Sequence, residues 1–279
     1  MGFCFVVLHY KTLDDTDECV QSINNLNKKS NIVIVDNASN NGSVEILKEK
    51  YKDYSHIIIL ENDYNMGFSE GNNIGYQYAR NILKADFIAV LNNDVTIGNA
   101  DFIERVVEEY NESKFYLLGP DIISTIDYNH QNPMKKEALS QREAKQALTR
   151  FRLLYILSKI RCYELFKRKI KKKLNNNKSN EHSIKMENMV LHGSFVIFSP
   201  LFTKKENFCF RPGTFLYMEE DILYRYCLSK KYKMLYSPNC IVYHKEDSAT
   251  NSLFKADKEK REFVFKNLIN SLKVYLDYV

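Results

Sequence analysis

The chain has 279 residues, of which 44% are hydrophobic and 27% charged, a composition that excludes a disordered or fibrous protein and supplies a sizeable apolar core. Its net charge of +5 is uneven: between Lys135 and Lys185 there are 16 Lys and Arg against 4 Asp and Glu, so one segment is strongly basic and the remainder is mildly acidic. Six cysteines with no C-x-x-C pair argue against a structural zinc site and a disulfide framework.

The first half alternates apolar runs with amphipathic ones. Phe3 to Leu8 is continuous and partly β-branched, as a strand buried on both faces should be. Asp14, Asp15 and Thr16 offer N-caps for a helix through Ile23. Strands are predicted over Asn31 to Asp36, His56 to Leu60 and Asp86 to Leu91, and helices over Ser43 to Tyr51, Ser69 to Leu83 and Asp101 to Tyr110. Strands alternating with helices imply βαβ units and a mostly parallel sheet. In the second half, Asn129 to Asn180 holds the basic segment, largely helical and ending in the polar run Asn175 to Asn180. Met189 to Phe198 is a predicted strand and Glu219 to Ser229 a helix. Tyr232 to Tyr236 and Cys240 to Tyr243 are strands, and Lys255 to Tyr278 is a terminal helix. Cys4, Cys209 and Cys240 lie in apolar runs as small core residues.

Ligands of such sheets bind beyond the carboxyl ends of the strands, and polar residues gather there. The second strand ends at Asp36 and the fourth at Asn92, Asn93 and Asp94. The third is followed by a loop and helix start, Asn65 to Gly75, that contains Gly67, Asn72 and Asn73. A glycine-rich loop opening a helix presents backbone N–H groups to an anion or a polar ring. Asp94 is a candidate metal ligand, because Mg²⁺ and Mn²⁺ take only one or two protein carboxylates beside a ligand's phosphates; the same triplet also suits a strand-end turn. Glu219, Glu220 and Asp221 open a helix behind the run Phe215 to Met218. A carboxylate there can act as general base, or can simply complement the helix dipole. His244 ends an apolar strand before a charged loop, as a metal or phosphate contact does.

The series VVLHYKTLDDTDECVQSI, IVDNASNNGS, NMGFSEGNNIG, VLNNDV, GSFVIF, FLYMEED and LYSPNCIVYHKE resembles the family 2 glycosyltransferases of bacterial surface-polysaccharide synthesis, rhamnosyltransferases among them. The resemblance covers most of the chain except the basic segment. It implies an α/β GT-A fold, a Rossmann-like mixed sheet flanked by helices, here with a basic helical insertion. Residues 1–128 would form the nucleotide-sugar-binding half, 129–185 the insertion, 186–254 the acceptor-binding and catalytic half, and 255–279 the terminal helix. It further implies inverting transfer of a sugar from a UDP- or dTDP-linked donor to a glycan or lipid-linked acceptor. Asp36 matches the nucleobase-contacting aspartate, with His9, Asn65, Gly67, Asn72, Asn73, Asn92 and Asn93 as further donor contacts. Asp94 and His244 match the site for Mg²⁺ or Mn²⁺, and the acidic cluster matches the motif that holds the base. Two departures stand out: Asn92 replaces the first aspartate of the D-x-D element, and the base aligns with Glu220 or, shifted by one, with Asp221. A nucleotidyltransferase lacks its glycine-rich basic loop here, whereas a silent nucleotide-sugar-binding subunit is compatible with Asn92.

Phe151 to Ile170 reads as a basic amphipathic helix, with Leu153, Ile156, Leu157, Ile160, Tyr163, Phe166 and Ile170 at helical spacing. It suits an anionic membrane surface, or a stripe packed on the protein's own core; no motif points to nucleic acid. The N-terminus has no basic region or cleavage site, and no stretch approaches the roughly 20 apolar residues of a spanning helix. The expectation is a cytoplasmic protein held peripherally at the inner face of the cell membrane.

Overall fold

The computed structural model describes residues 2–160, 163, 182–246 and 257–279. Along the chain run β1 (Phe3–His9), α1 (Leu13–Asn24), β2 (Asn31–Asp36), α2 (Ser43–Tyr51), β3 (Ile57–Glu61), α3 (Gly67–Asn81), β4 (Phe87–Asn92), β5 (Val95–Ile97), α4 (Phe102–Ser113) and β6 (Leu117–Ser124). These are followed by α5 (Gln141–Lys159), β7 (Met186–Glu187), β8 (Phe195–Phe198), α6 (Pro200–Thr203), α7 (Glu219–Lys230), β9 (Met234–His244) and α8 (Asp257–Tyr275).

Period-two alternation builds the layers. In β1, Cys4 and Val6 face one side of the sheet while Phe3, Phe5 and Val7 face the other, and β2, β4 and β8 divide the same way. One side is covered by α3, α5, α7 and α8, the other by α1, α2 and α4. Both faces are therefore apolar, which is why these strands read as continuous hydrophobic runs.

Among the described residues nine strands form one sheet in the order β3-β2-β1-β4-β8-β6-β9-β5, with β7 on β9. The first four strands are parallel, as the alternation predicts. Beyond β4 the sheet is mixed: β8 is antiparallel to both β4 and β6, and β6 is parallel to β9. Two strands from the second half thus interleave with strands from the first. The five described cysteines are free and buried; Cys162 lies outside the described residues.

Several elements differ from the sequence reading. Thr12, not an aspartate, occupies the cap of α1 and makes no side-chain cap bond. The strand predicted over Met189 to Phe198 is regular only from Phe195, since the chain before it turns into the cavity described below. The two strands read between Tyr232 and Tyr243 are one, β9, whose pairing with β6 shifts between Pro120 and Asp121. Gly119 and Pro120 hid β6, because both residues weaken a strand reading. The basic helix α5 starts earlier than predicted, in a capping box between Ser140 and Glu143. The remainder of that predicted helix, from 161 onward except Tyr163, and the polar run 175–180 lie outside the described residues.

The segment Lys135 to Leu139 is fastened to α7. Lys135 Nζ pairs with Asp221 at 2.8 Å. The Arg225 guanidinium donates to the carbonyls of Ala138 (2.9 Å) and Leu139 (2.7 Å) and to the Tyr275 hydroxyl of α8 (3.0 Å). Truncating Arg225 removes the donor to the Ala138 carbonyl and to the Tyr275 hydroxyl, and one of the two donors to the Leu139 carbonyl, which also accepts from Tyr275 Oη. We expect Arg225→Ala to lower stability by about 2 kcal/mol, read as a shift of the urea midpoint at unchanged slope.

Candidate active site

The carboxyl ends of β1, β2 and β4 border a cavity of about 530 Å³. Its other walls come from residues 131–134, 192–194, 215–221 and 244–246, with Phe263 of α8.

Asp94 occupies the tight turn from β4 to β5. Because Val95 pairs with His244 in the β5–β9 ladder, the aspartate is held against the end of β9. Lys245 N donates to the Asp94 carbonyl (3.0 Å), and His244 Nε2 lies 3.3 Å from Asp94 Oδ1. Both side chains are buried, and Oδ1 accepts no hydrogen bond. The imidazole is oriented from behind: Gln131 commits its Nε2 to Glu246 Oε1 (2.6 Å), so its Oε1 faces His244 Nδ1 (2.8 Å). Nδ1 therefore carries the proton. Nε2 then faces a buried, unsatisfied carboxylate oxygen, an arrangement that fits a shared divalent cation. Among the described residues no group of three or more His, Cys, Asp and Glu could hold a metal. Further ligands would have to be phosphate oxygens or water, as Mg²⁺ and Mn²⁺ permit.

His192 stands beside this pair, its ring 5.8 Å from that of His244. Its Nδ1 accepts from Ser194 N (3.2 Å), and its own backbone N–H donates to the buried Asn132 Oδ1 (3.0 Å). Burial first, and the nearby His244 second, push its pKa down to about 4. Asp94 opposes that shift. His192 is therefore neutral near pH 7.

The three acids at the start of α7 meet different surroundings. Asp221 is buried against Lys135, and Leu139 N reaches it at 3.4 Å. Glu219 is buried with Oε1 unpaired; burial, and then the charge of Glu220, raise its pKa. Glu220 lies over Gly193, where a Cβ would come within 2.7 Å of its Oε1. A side chain at 193 would displace the carboxylate from this position. Burial raises the Glu220 pKa, and the Gly193 N–H counters that. Tyr217 and Met218, just before the helix, both have left-handed backbones (φ 73° and 71°), a strained conformation for side chains of this size.

Asn37 ties the polar edge together. Its Nδ2 donates to Asn65 Oδ1 and to the Gly67 carbonyl, both at 3.1 Å, and its Oδ1 accepts from Met66 N (2.9 Å). Gly67 has φ +78°, and a Cβ there would overlap the Phe215 backbone, to which Phe68 N donates (2.7 Å). The loop after β3 thus clasps the segment leading into the acids.

The structure brings Asn65, Gly67, Asn92, Asn93, Asp94, His244 and all three acids to the cavity. It holds His9, Asp36, Asn72 and Asn73 behind the wall. His9 is enclosed between Thr16 Oγ1 (2.6 Å) and Ser43 Oγ (2.7 Å). Asp36 accepts from Ser39 N (3.2 Å). Asn73 holds Phe210 through both its backbone groups, and Asn72 bonds Phe68 O (3.0 Å). Asn93 lines the cavity but turns its amide nitrogen back to Thr12 and Thr16. Sequence reasoning missed Asn37, Gln131, His192, Glu246 and Phe263. Asn37 adjoins a chosen residue, and His192 was hidden inside a predicted strand. Gln131 and Phe263 carry no local signal.

The family model "Glycosyl transferase family 2" matches residues 4–174. The chain is 25% identical over 119 residues to the low-salt glycan biosynthesis hexosyltransferase Agl10 of Haloferax volcanii, a stretch covering 43% of this chain and 36% of that protein. It therefore spans about a third of the length of that curated relative. Among solved structures, S. aureus TarS 1–349 in complex with UDP-GlcNAc superposes with a TM-score of 0.59 at 13% identity, covering 99% of this chain and 66% of that one. GalNAc-T7 with UDP, GalNAc and Mn²⁺ gives 0.61 at 12% identity, covering 89% and 45%. These likenesses show the GT-A fold.

A folded-state pKa of about 4 for His192, below the ordinary 6.5, has a definite sign. The unfolded chain takes up a proton that the folded one refuses. The stability is thus fully present above pH 6.5 and is lost as pH falls toward 4. Relative to His192→Gln, the wild type should lose about 2–3 kcal/mol between pH 7 and pH 4.5. Urea melts of both proteins at the two pH values measure this; parallel losses would refute it.

Proposed function

The chain belongs to glycosyl transferase family 2, and we propose that it moves a hexosyl or rhamnosyl group from a UDP- or dTDP-linked donor to a hydroxyl of a glycan or lipid-linked surface-polysaccharide acceptor, with inversion at the anomeric carbon. The observation that carries this reading is the meeting, in one cavity, of the Asp94–His244 pair with the acidic turn at Glu220. The nucleotides in the TarS and GalNAc-T7 structures support a UDP-linked donor.

Asn37 and Asn65 line the donor side, and Asp36 acts on the nucleobase end through Ser39 and the loop that it shapes. Asp94 and His244 would hold Mg²⁺ or Mn²⁺, with Gln131 and Glu246 fixing the imidazole. Such a cation neutralises diphosphate charge and so eases departure of the leaving group. Glu220 takes the acceptor's hydroxyl proton as that oxygen attacks the anomeric carbon. The new C–O bond forms on the face opposite the diphosphate, whose own C–O bond breaks. Burial raises the pKa of Glu219 and Glu220 alike, a direction that suits proton uptake, and Lys135 occupies Asp221. Phe215 to Met218 and Phe263 form an apolar wall on which an acceptor sugar can stack. Asn92 in place of an aspartate favours a second reading, a nucleotide-sugar-binding subunit without turnover.

A panel of UDP- and dTDP-sugars, incubated with Mn²⁺ and followed for release of free nucleotide diphosphate, separates these readings; binding with no release from any donor sinks the enzymatic one. Glu220→Gln should slow transfer by about 10² to 10⁴ while donor binding persists. Asp221→Asn should instead lower the melting temperature and largely spare turnover.

Asp94→Ala should leave less than about a tenth of wild-type turnover, a barrier increase of at least roughly 1.4 kcal/mol. Gln131→Met should weaken Mn²⁺ binding in the presence of UDP by about 10- to 100-fold, measured by titration calorimetry. Unchanged Mn²⁺ affinity would detach Gln131 from the metal site.

A further inference from the structure

Helix α5 is apolar on two sides, one packed on α8 and the other exposed. Ala144, Leu148, Leu154 and Ser158 are buried. They lie on the side held to α8 by the Phe151–Phe265 ring contact, the Lys159–Glu262 ion pair (2.7 Å) and the bond from Arg261 Nε to Ser158 Oγ (3.2 Å). At 100° per residue, Leu153, Ile156 and Ile160 project from the opposite side. They are 57%, 55% and 59% exposed. On the same projection Lys145 and Arg152 flank this ridge on one side and Arg150 flanks it on the other, all three exposed.

We propose that this outer face of α5 docks the protein onto an anionic membrane surface, with Leu153 and Ile156 entering the headgroup–acyl boundary. An apolar ridge with cations on both margins is what an interfacial helix needs: the ridge supplies burial, and the cations supply attraction to anionic lipid. No described helix is long and apolar enough to cross a membrane, so any attachment through α5 lies in the plane of the surface. A second copy presents the same cations and would repel. The inference does not depend on the sugar-transfer reading.

The test is flotation of the full chain with vesicles. At low salt the protein should float with phosphatidylglycerol-containing vesicles and stay behind with pure phosphatidylcholine. It should be substantially released as salt rises toward 1 M, where the screening length falls to about 3 Å. Leu153→Gln with Ile156→Gln replaces exposed side chains, so the melting temperature should hold while vesicle partition drops at least about tenfold. Arg150→Gln with Arg152→Gln should weaken partition at low salt and matter little at high salt. Failure of the wild type to float with anionic vesicles overturns the proposal. So does undiminished flotation of the Leu153→Gln/Ile156→Gln protein, which would assign the attraction to the other basic residues. If instead that variant converts a wild-type dimer to a monomer and floats as before, the ridge is a contact between copies.

Discussion

Strand β8 runs antiparallel between β4 and β6, and the site depends on that reversal. The parallel strands β1, β2 and β4 deliver their polar ends to one edge of the sheet. Because β8 enters the sheet at that same edge, the residues before it, His192 to Ser194, lie beside Asn92, and Asn92 N donates to the Ser194 carbonyl (2.9 Å). Gly193 then underlies Glu220. A parallel β8 would start at the far edge, and the donor-side and acid-side residues would not share a cavity. The β5–β9 ladder repeats the device by holding His244 against Asp94.

Within that frame, charge is apportioned by contact and not by residue type. Three consecutive carboxylates have one local environment in sequence, the first turn of a helix, where the dipole favours them all alike. In the fold one is neutralised by Lys135, one is buried without a partner on Oε1, and one faces the cavity over Gly193. The partners that separate them come from distant parts of the chain, so the choice between Glu220 and Asp221 was not legible in the sequence.

The parallel half was legible almost to the residue, because strands buried on both faces announce themselves as unbroken apolar runs: β2 and α2 have the bounds read from the sequence. Beyond β4 the reading weakened. Gly119 and Pro120 disguised β6, and Gly193 stood inside what read as one strand. Residues at strand ends could be placed at the cavity because a positional rule points to them. Gln131, Glu246 and Phe263 lie on connections or a helix flank, where no rule applies, and they matter only through the tertiary contact each makes. His9 shows the opposite case. It ends a strand at the expected edge, but Thr16 and Ser43 enclose it. The apolar stripe of α5 was legible as a stripe but not as two faces, since which positions are covered depends on where α8 lies.

Helix α7 offers Glu220 to the cavity at its first turn and, from the same two turns, holds the insertion through Asp221 and Arg225. Arg225 also grips Tyr275 of α8. The segment around Lys135 to Leu139 is therefore not a module that can be cut away or exchanged by itself. Moving it to another scaffold would need α7 and α8 to travel with it, and a deletion would reach the acidic turn even though no residue of the cavity's acid cluster had been removed. Such a helix obliges that segment and the acidic turn to change in concert.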